Sequence, residues 1–323
     1  MPLYLMPFVQ ANNMTDVILK VENLVKNFGK FRAVDGISFS VPRGKIVGFL
    51  GPNGAGKTTT IHMLLGVTSK TSGSISYFGD NFDTHRETIL KRINFASAFN
   101  TLQNRITVWE NLVVFSLLYE VRNYTKKIEE LCNHFEIESL FHKRYNDLSS
   151  GQRTRVNLVK SLLNDPELIL MDEPTASLDP DITDKTLTLI EKLKKEKNLT
   201  LLYTSHNMDE ITRICDEVIF LDHGKIVAQD TPLGLTKRVK NAELRLEFDG
   251  KEKILKKYLN EKKSVFSFPN PNTVVVKVEE KKIPEIIFGL SQSGVWITDI
   301  EVIKPSLEDV FLQIARSKKH DKY

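Results

Sequence analysis

Residues 45–60 read KIVGFLGPNGAGKTTT: an apolar run, a glycine-rich turn and the polar start of a helical stretch. The turn, Gly51-Pro52-Asn53-Gly54-Ala55-Gly56-Lys57-Thr58, fits the spacing G-x-x-x-x-G-K-[ST]. Glycines let the backbone fold tightly so that successive N–H groups point inward, and the helix that follows adds partial positive charge at its first turn. Such a cradle suits phosphate. Lys57 then reaches the β- and γ-phosphates of a nucleotide, and the Thr58 hydroxyl, next to Thr59, reaches the metal ion that travels with them. The flanks supply the required context: KIVGFL predicts a buried strand, and TTTIHMLLG a helix that Gly66 stops.

Outward from this turn, strand and helix signals alternate. Upstream, VILKVENL and FRAVDGISFSV, the latter closed by Pro42-Arg43-Gly44, predict an antiparallel β layer. Downstream, VWENLVVFSLLYEV and YTKKIEELCNHFEI carry helical periodicity and mark a helical insertion over about residues 100–150. Then follow helix SSGQRTRVNLVKSLLND, strand LILMDEP, helix DKTLTLIEKLKKEKN, strand LTLLYTSH, helix MDEITRICD and the hairpin EVIFLDHGKIVAQD. This order predicts an α/β fold, a mainly parallel sheet covered on both faces. Past about Lys237 the pattern resets to βαββαβ, the order of a small α+β ferredoxin-like domain, ended by the helix SLEDVFLQIARSK. The expected division is an N-terminal extension over 1–15, a nucleotide-binding domain over 16–236 and an accessory domain over 237–323.

The 323 residues are enough for one large core and a smaller one. With 45 basic and 41 acidic residues the net charge of +4 does not imply a nucleic-acid groove, and no nucleic-acid partner is expected. Cys132 and Cys215 have no CxxC spacing or partner histidines, so they read as buried, reduced thiols rather than a disulfide or zinc site. No apolar run approaches the roughly 20 residues that cross a bilayer; the longest is LVVFSLLY, from Leu112 to Tyr119. The opening MPLYLMPFVQANN lacks the basic segment and cleavage site of a secretory signal, which leaves residues 1–13 as a flexible extension or a mis-assigned start.

Leu168-Ile169-Leu170-Met171-Asp172-Glu173 is an apolar strand ending in two carboxylates. At the carboxyl edge of a parallel sheet, Asp172 faces the metal and Glu173 is placed to polarise an attacking water. These motifs alone fit kinases, GTPases and many other NTPases. What decides the class is Leu148-Ser149-Ser150-Gly151-Gln152, opening a helix just upstream of Asp172, because it resembles the LSGGQ signature of ABC (ATP-binding cassette) ATPases. The resemblance extends over nearly all of residues 16–235. Phe28 resembles the aromatic that stacks on adenine, Ser177-Leu178-Asp179 the D-loop, and His206, after LTLLYTS, the switch histidine.

The resemblance implies a P-loop NTPase cassette that uses ATP and Mg2+. It assigns catalysis to Glu173, His206 and Lys57, and metal binding to Thr58 and Asp172. Nucleotide contacts fall to Phe28, to Gly51 through Thr59, and to Ser149, Gly151, Gln152 and Asp179. In the family the signature completes the site of the opposite subunit, so a chain with one cradle and one signature implies pairing with a second copy. One departure stands out. Counting back from Thr107-Val108-Trp109-Glu110-Asn111 puts Ala98 where the family has a glutamine that contacts Mg2+ and the attacking water. Alanine cannot bind metal, so either Asn100 or Gln103 substitutes, or turnover runs with weaker metal support.

The tail Lys304-Pro305-Ser306-Leu307-Glu308-Asp309-Val310-Phe311-Leu312 resembles the ending of bacterial ABC-2-type exporter subunits, including drug-resistance and sodium-efflux ATPases. That implies a separate membrane-spanning permease, a peripheral position on the cytoplasmic face of the inner membrane, and a docking surface along Val108–Tyr119. A soluble ABC mechanoenzyme acting on ribosomes or nucleic acid is the alternative, as is a poorly hydrolysing regulatory cassette motivated by Ala98.

Overall fold

Ile46–Leu50 is buried at every position, so neither face of this segment meets solvent. Only a strand inside a covered sheet satisfies both its side chains and its backbone. The computed structural model, which describes residues 17–97, 101–176, 178–237 and 241–311, places it there. The chain divides into two compact units, Met1–Gln229 and Asp230–Tyr323.

In the first unit, β1 (Val17–Phe28) and β2 (Phe31–Pro42) form a long hairpin. It is followed by β3 (Ile46–Leu50), α1 (Lys57–Leu64), β4 (Ser72–Tyr77), β5 (Asp80–Asn81), α2 (Arg86–Leu90) and β6 (Ile93–Ser97). The helical insertion is α3 (Val108–Leu118) and α4 (Tyr124–His134), and α5 (Ser150–Leu162) follows it. Then come β7 (Leu168–Asp172), α6 (Pro180–Lys197), β8 (Thr200–Thr204), α7 (Met208–Ile214), β9 (Glu217–Asp222) and β10 (Lys225–Asp230). The antiparallel sheet has the order β2-β1-β4-β5 and the main sheet β10-β9-β3-β8-β7-β6. Within the main sheet, β3 pairs in parallel with β8 and β9, and β7 with β6 and β8.

The composition of each strand explains its place. β3, β7 and β8 are buried throughout, whereas β2 alternates buried and open positions as a strand with one covered face does. A single apolar core joins the two sheets through α1, with Val34, Phe39 and Tyr77 on one side and Phe49, Leu170 and Leu202 on the other. Tyr77 seals it by donating its hydroxyl to the Leu64 carbonyl at the end of α1, at 2.8 Å.

The parallel registers bring three strand ends to one edge. Phe49 lies opposite Thr204 and Asp172 opposite Thr204, so the segments leaving β3, β7 and β8 emerge side by side.

The second unit contains α8 (Pro232–Thr236), β11 (Asn241–Asp249), α9 (Glu252–Glu261), β12 (Val265–Asn270), β13 (Thr273–Glu279), α10 (Ile283–Gln292) and β14 (Trp296–Ile303). Its antiparallel order β12-β13-β11-β14, with α9 and α10 packed on one face, is the ferredoxin-like arrangement expected from the βαββαβ pattern. Leu244, Leu246 and Phe248 of β11 pack against Leu255, Leu259, Ile286 and Leu290 of the helices. Alternate residues form surface pairs instead, Glu243 with Lys277 and Arg245 with Glu301. Residues 307–311 are helical, and the rest of the expected last helix lies outside the described residues, as does the N-terminal extension. Because this unit has its own core, Leu259→Ala is expected to lower its stability by about 2–5 kcal/mol. Calorimetry should show its unfolding transition moving while that of the first unit stays in place.

Candidate functional site

The loop between β3 and α1 is clamped by backbone on both sides. A Cβ on Gly51, at φ 155°, would lie 2.3 Å from the Leu221 carbonyl oxygen, and one on Gly56, at φ 103°, would lie 2.6 Å from that of Ala33. Both positions therefore exclude every other residue. The turn after β9 completes the clamp: Gly224 N–H donates to the Ala55 carbonyl at 3.0 Å, and Asp35 N–H on β2 to the Gly224 carbonyl at 2.8 Å. No side chain caps the start of α1, which leaves its first N–H groups to an anion. Lys57, 6% exposed, donates to the Gly51 and Pro52 carbonyls at 2.7 and 3.2 Å. Burial pulls its pKa below the usual lysine value, and the charges of Glu173 and Asp172 oppose that pull.

Asp172 and Glu173 are set by one residue of the neighbouring strand. The Thr204 hydroxyl donates to Asp172 Oδ1 at 2.6 Å. The Glu173 N–H donates to the Thr204 carbonyl at 3.1 Å and to its hydroxyl oxygen at 3.0 Å. Asp172 is thereby buried, and Glu173 is held at φ 48°, a left-handed conformation that costs a residue with a side chain about 1–3 kcal/mol. The Glu173 carboxylate lies beside His206, whose Nδ1 is 3.5 Å from Glu173 Oε2.

The LSSGQ segment meets a second helix start. Ser149 caps α5 in a reciprocal box: its hydroxyl accepts from Gln152 N–H at 3.3 Å and Gln152 Oε1 accepts from Ser149 N–H at 3.1 Å. Asp179 caps α6, accepting from Ile182 N–H at 3.0 Å. The two starts touch at Gly151, where a Cβ would fall 2.6 Å from Ile182 Cγ2. Among the described residues no hydrogen bond or ion pair joins Ser149, Gly151 or Gln152 to residues 51–59.

Residues 34–176 match the family described as ABC transporter, and residues 234–315 the C-terminal domain described as that of the ATP-binding protein DrrA1-3-like. The chain is 38% identical over 221 residues to the Nod factor export ATP-binding protein I of Ralstonia nicotianae, covering 67% of each protein. It is 31% identical over 303 residues to the bacitracin transport ATP-binding protein BcrA of Bacillus licheniformis, covering 92% of this chain and 97% of that one. This chain belongs to the ABC transporter ATP-binding proteins. Among solved structures, MJ1267, an ATP-binding cassette of an ABC transporter in its ADP conformation, superposes with a TM-score of 0.60 at 26% identity, over 67% of this chain and 91% of that one. The cassette is thus an ATPase, and the cradle at residues 51–58 fits a nucleotide's phosphates.

Of the other expected contacts, Phe28 ends β1 at the hairpin tip, 52% exposed, with the Lys26 ammonium 4.9 Å from its ring centre. Directly across the hairpin stands Phe31, 64% exposed, which motif reading passed over although FGKF places two aromatics around one turn. Gln103 is exposed, and its backbone rather than its side chain is held: its N–H donates to Asn111 Oδ1 at 2.9 Å and its carbonyl accepts from Asn111 Nδ2 at 3.0 Å. Ala98, Asn100 and Ser177 lie outside the described residues.

Sequence reasoning also missed Glu210, on α7 and only 5% exposed. One of its oxygens accepts from three hydroxyls: Thr175 at 2.8 Å, Tyr203 at 2.9 Å and Ser205 at 2.9 Å. Thr175 follows Glu173 closely and Ser205 precedes His206, so this carboxylate ties down the backbone on both sides of the Glu173–His206 pair. Its only signal in the sequence is an acid one helical turn past His206, which spacing alone does not separate from a solvated charge. Glu210→Ala removes the acceptor that three buried hydroxyls share and is expected to lower stability by about 1–3 kcal/mol in denaturant titration. Glu210→Gln, which keeps one acceptor, should lose less.

Proposed function

We propose that this cassette powers an ABC-2-type membrane exporter, working as one of two copies that close on ATP and drive a separate membrane-spanning permease. What supports the exporter reading is the pairing of the cassette with the DrrA1-3-like C-terminal domain, along a chain that matches a transport ATP-binding protein over nearly its whole length. Among the described residues no helix is long and apolar enough to cross a membrane, so the reading needs a partner that does. The outward side of α3 offers a place for it, with Val114, Leu117 and Leu118 exposed. On this reading the chain sits peripherally on the cytoplasmic face of the inner membrane.

Chemically, the cradle N–H groups and Lys57 neutralise and orient the phosphates. Thr58 and Asp172 would hold Mg2+, which when bound offsets phosphate charge. Glu173 accepts a proton from the attacking water, and its strained backbone sets the carboxylate direction before substrate arrives. His206, within reach of Glu173, holds the water and the terminal phosphate in line. On this reading Ser149 and the N–H groups at the start of α5, which share no hydrogen bond with their own cradle among the described residues, complete the site of the second copy, together with Gly151, Gln152 and Asp179. Phe28 takes the adenine ring. Closure is then driven by contacts that exist only when ATP lies between the two chains, and hydrolysis removes them.

Glu173→Gln is expected to keep ATP affinity and lose turnover by about 100-fold or more; unchanged turnover would remove Glu173 from its role. Lys57→Ala should instead weaken ATP binding itself, measured by titration calorimetry. For the partner, tagging the chain and solubilising native membranes in mild detergent should recover a stoichiometric multi-span protein. Recovery from the soluble fraction alone, or with ribosomes, would overturn the exporter reading while leaving the ATPase intact.

A further inference from the structure

Lys160 carries a buried charge that no carboxylate among the described residues pairs with. It lies on α5, 8% exposed, and its hydrogen bonds among the described residues go only to neutral oxygens. The ammonium donates to Asn94 Oδ1 at 3.1 Å and to the Phe95 carbonyl at 3.2 Å, both on β6. It also lies 5.2 Å from the ring centre of Phe115 on α3 and 5.8 Å from that of Tyr119, just past the end of α3. Burial pulls its pKa down to about 8, which means that the fold is less stable for keeping a cation there. An apolar side chain of similar length would fill the same space without that penalty. What Lys160 offers beyond filling that space is its set of connections.

Those connections join three functional elements through one side chain. α5 begins at the signature serine, Ser149. β6 ends at Ser97, opposite Asp172, so the position of β6 bears on the metal-binding end of β7. α3 presents Val114, Leu117 and Leu118 outward while its Phe115 faces the ammonium. Asn94 extends the junction, receiving the Tyr119 hydroxyl at 3.4 Å and donating through Nδ2 to Asn164 Oδ1 at 2.7 Å. Asn164 in turn donates to the carbonyls of Lys91 and Ile93, at 3.0 and 3.2 Å.

We propose that Lys160 is a positioning residue that locks α3, β6 and α5 into one rigid wedge, so that the outward face of α3, the metal-binding edge of the sheet and the signature move together. Its hydrogen-bond partners, Asn94 and Phe95, are not among the residues assigned to nucleotide or metal, so it acts by fixing the placement of groups that are. An ammonium suits the task because it can hold a carbonyl, an amide oxygen and two aromatic faces at once. Methionine in its place would fill the volume but let β6 and α5 slide independently.

The inference rests on the signature acting in hydrolysis, as set out above. The test uses the full-length chain with Lys160→Met and Lys160→Arg, measuring kcat and KM for ATP and Tm, with Glu173→Gln assayed alongside. Expected for Lys160→Met is a kcat lowered about tenfold, KM within twofold of the parent, and a Tm equal to or above the parent. Lys160→Arg should recover most of the lost kcat. An unchanged kcat in Lys160→Met overturns the inference, and so does a loss of kcat that tracks a lowered Tm, which would make Lys160 a structural residue. If turnover is insensitive to Glu173→Gln, the failure belongs to the reading of the hydrolytic site and not to Lys160.

Discussion

The approach of the β3–α1 loop to its neighbours is the constraint on which the rest of the catalytic edge depends. Gly51 and Gly56 pass so close to the Leu221 and Ala33 carbonyls that no side chain fits at either position. That closeness fixes the course of the loop, and Lys57 holds it from within by donating to the Gly51 and Pro52 carbonyls. It requires β2 and the β9–β10 turn to be in place, which is why an antiparallel layer that carries no catalytic carboxylate is nonetheless part of the site. The parallel register then does the remaining work: with Asp172 and Phe49 both opposite Thr204, Glu173 and His206 arrive at the same edge as the cradle.

The elements legible in the sequence are those whose chemistry is contiguous. The cradle, the apolar strand ending in Asp172 and Glu173, and the segment from Leu148 to Gln152 each announce themselves within a few residues, because one turn or one strand end has to supply several groups at once. The βαββαβ order of the second unit is legible for a related reason: each element shows its own period. Its strand order, β12-β13-β11-β14, is not, since pairing between distant strands leaves no local mark.

Glu210 and Lys160 were hidden by the same limitation. Each is an ordinary charged residue on a helix, and each is buried only because elements far apart in the chain converge on it. Glu210 gathers hydroxyls from the segment after β7 and from β8; Lys160 gathers a carbonyl and an amide from β6 and two rings from α3 and its end. Phe31 escaped differently: it sits in plain view beside Phe28, and only the cross-strand register makes the two aromatics equivalent at the hairpin tip.

The cradle and the signature of one chain hold different helix starts and share no hydrogen bond among the described residues, which fits the proposal that each chain supplies half of two sites. The most direct measurement is the mass of the purified Glu173→Gln chain by light scattering, with and without ATP and Mg2+. Paired action predicts that nucleotide doubles the mass. A chain that binds ATP one-to-one and keeps its nucleotide-free mass would contradict it.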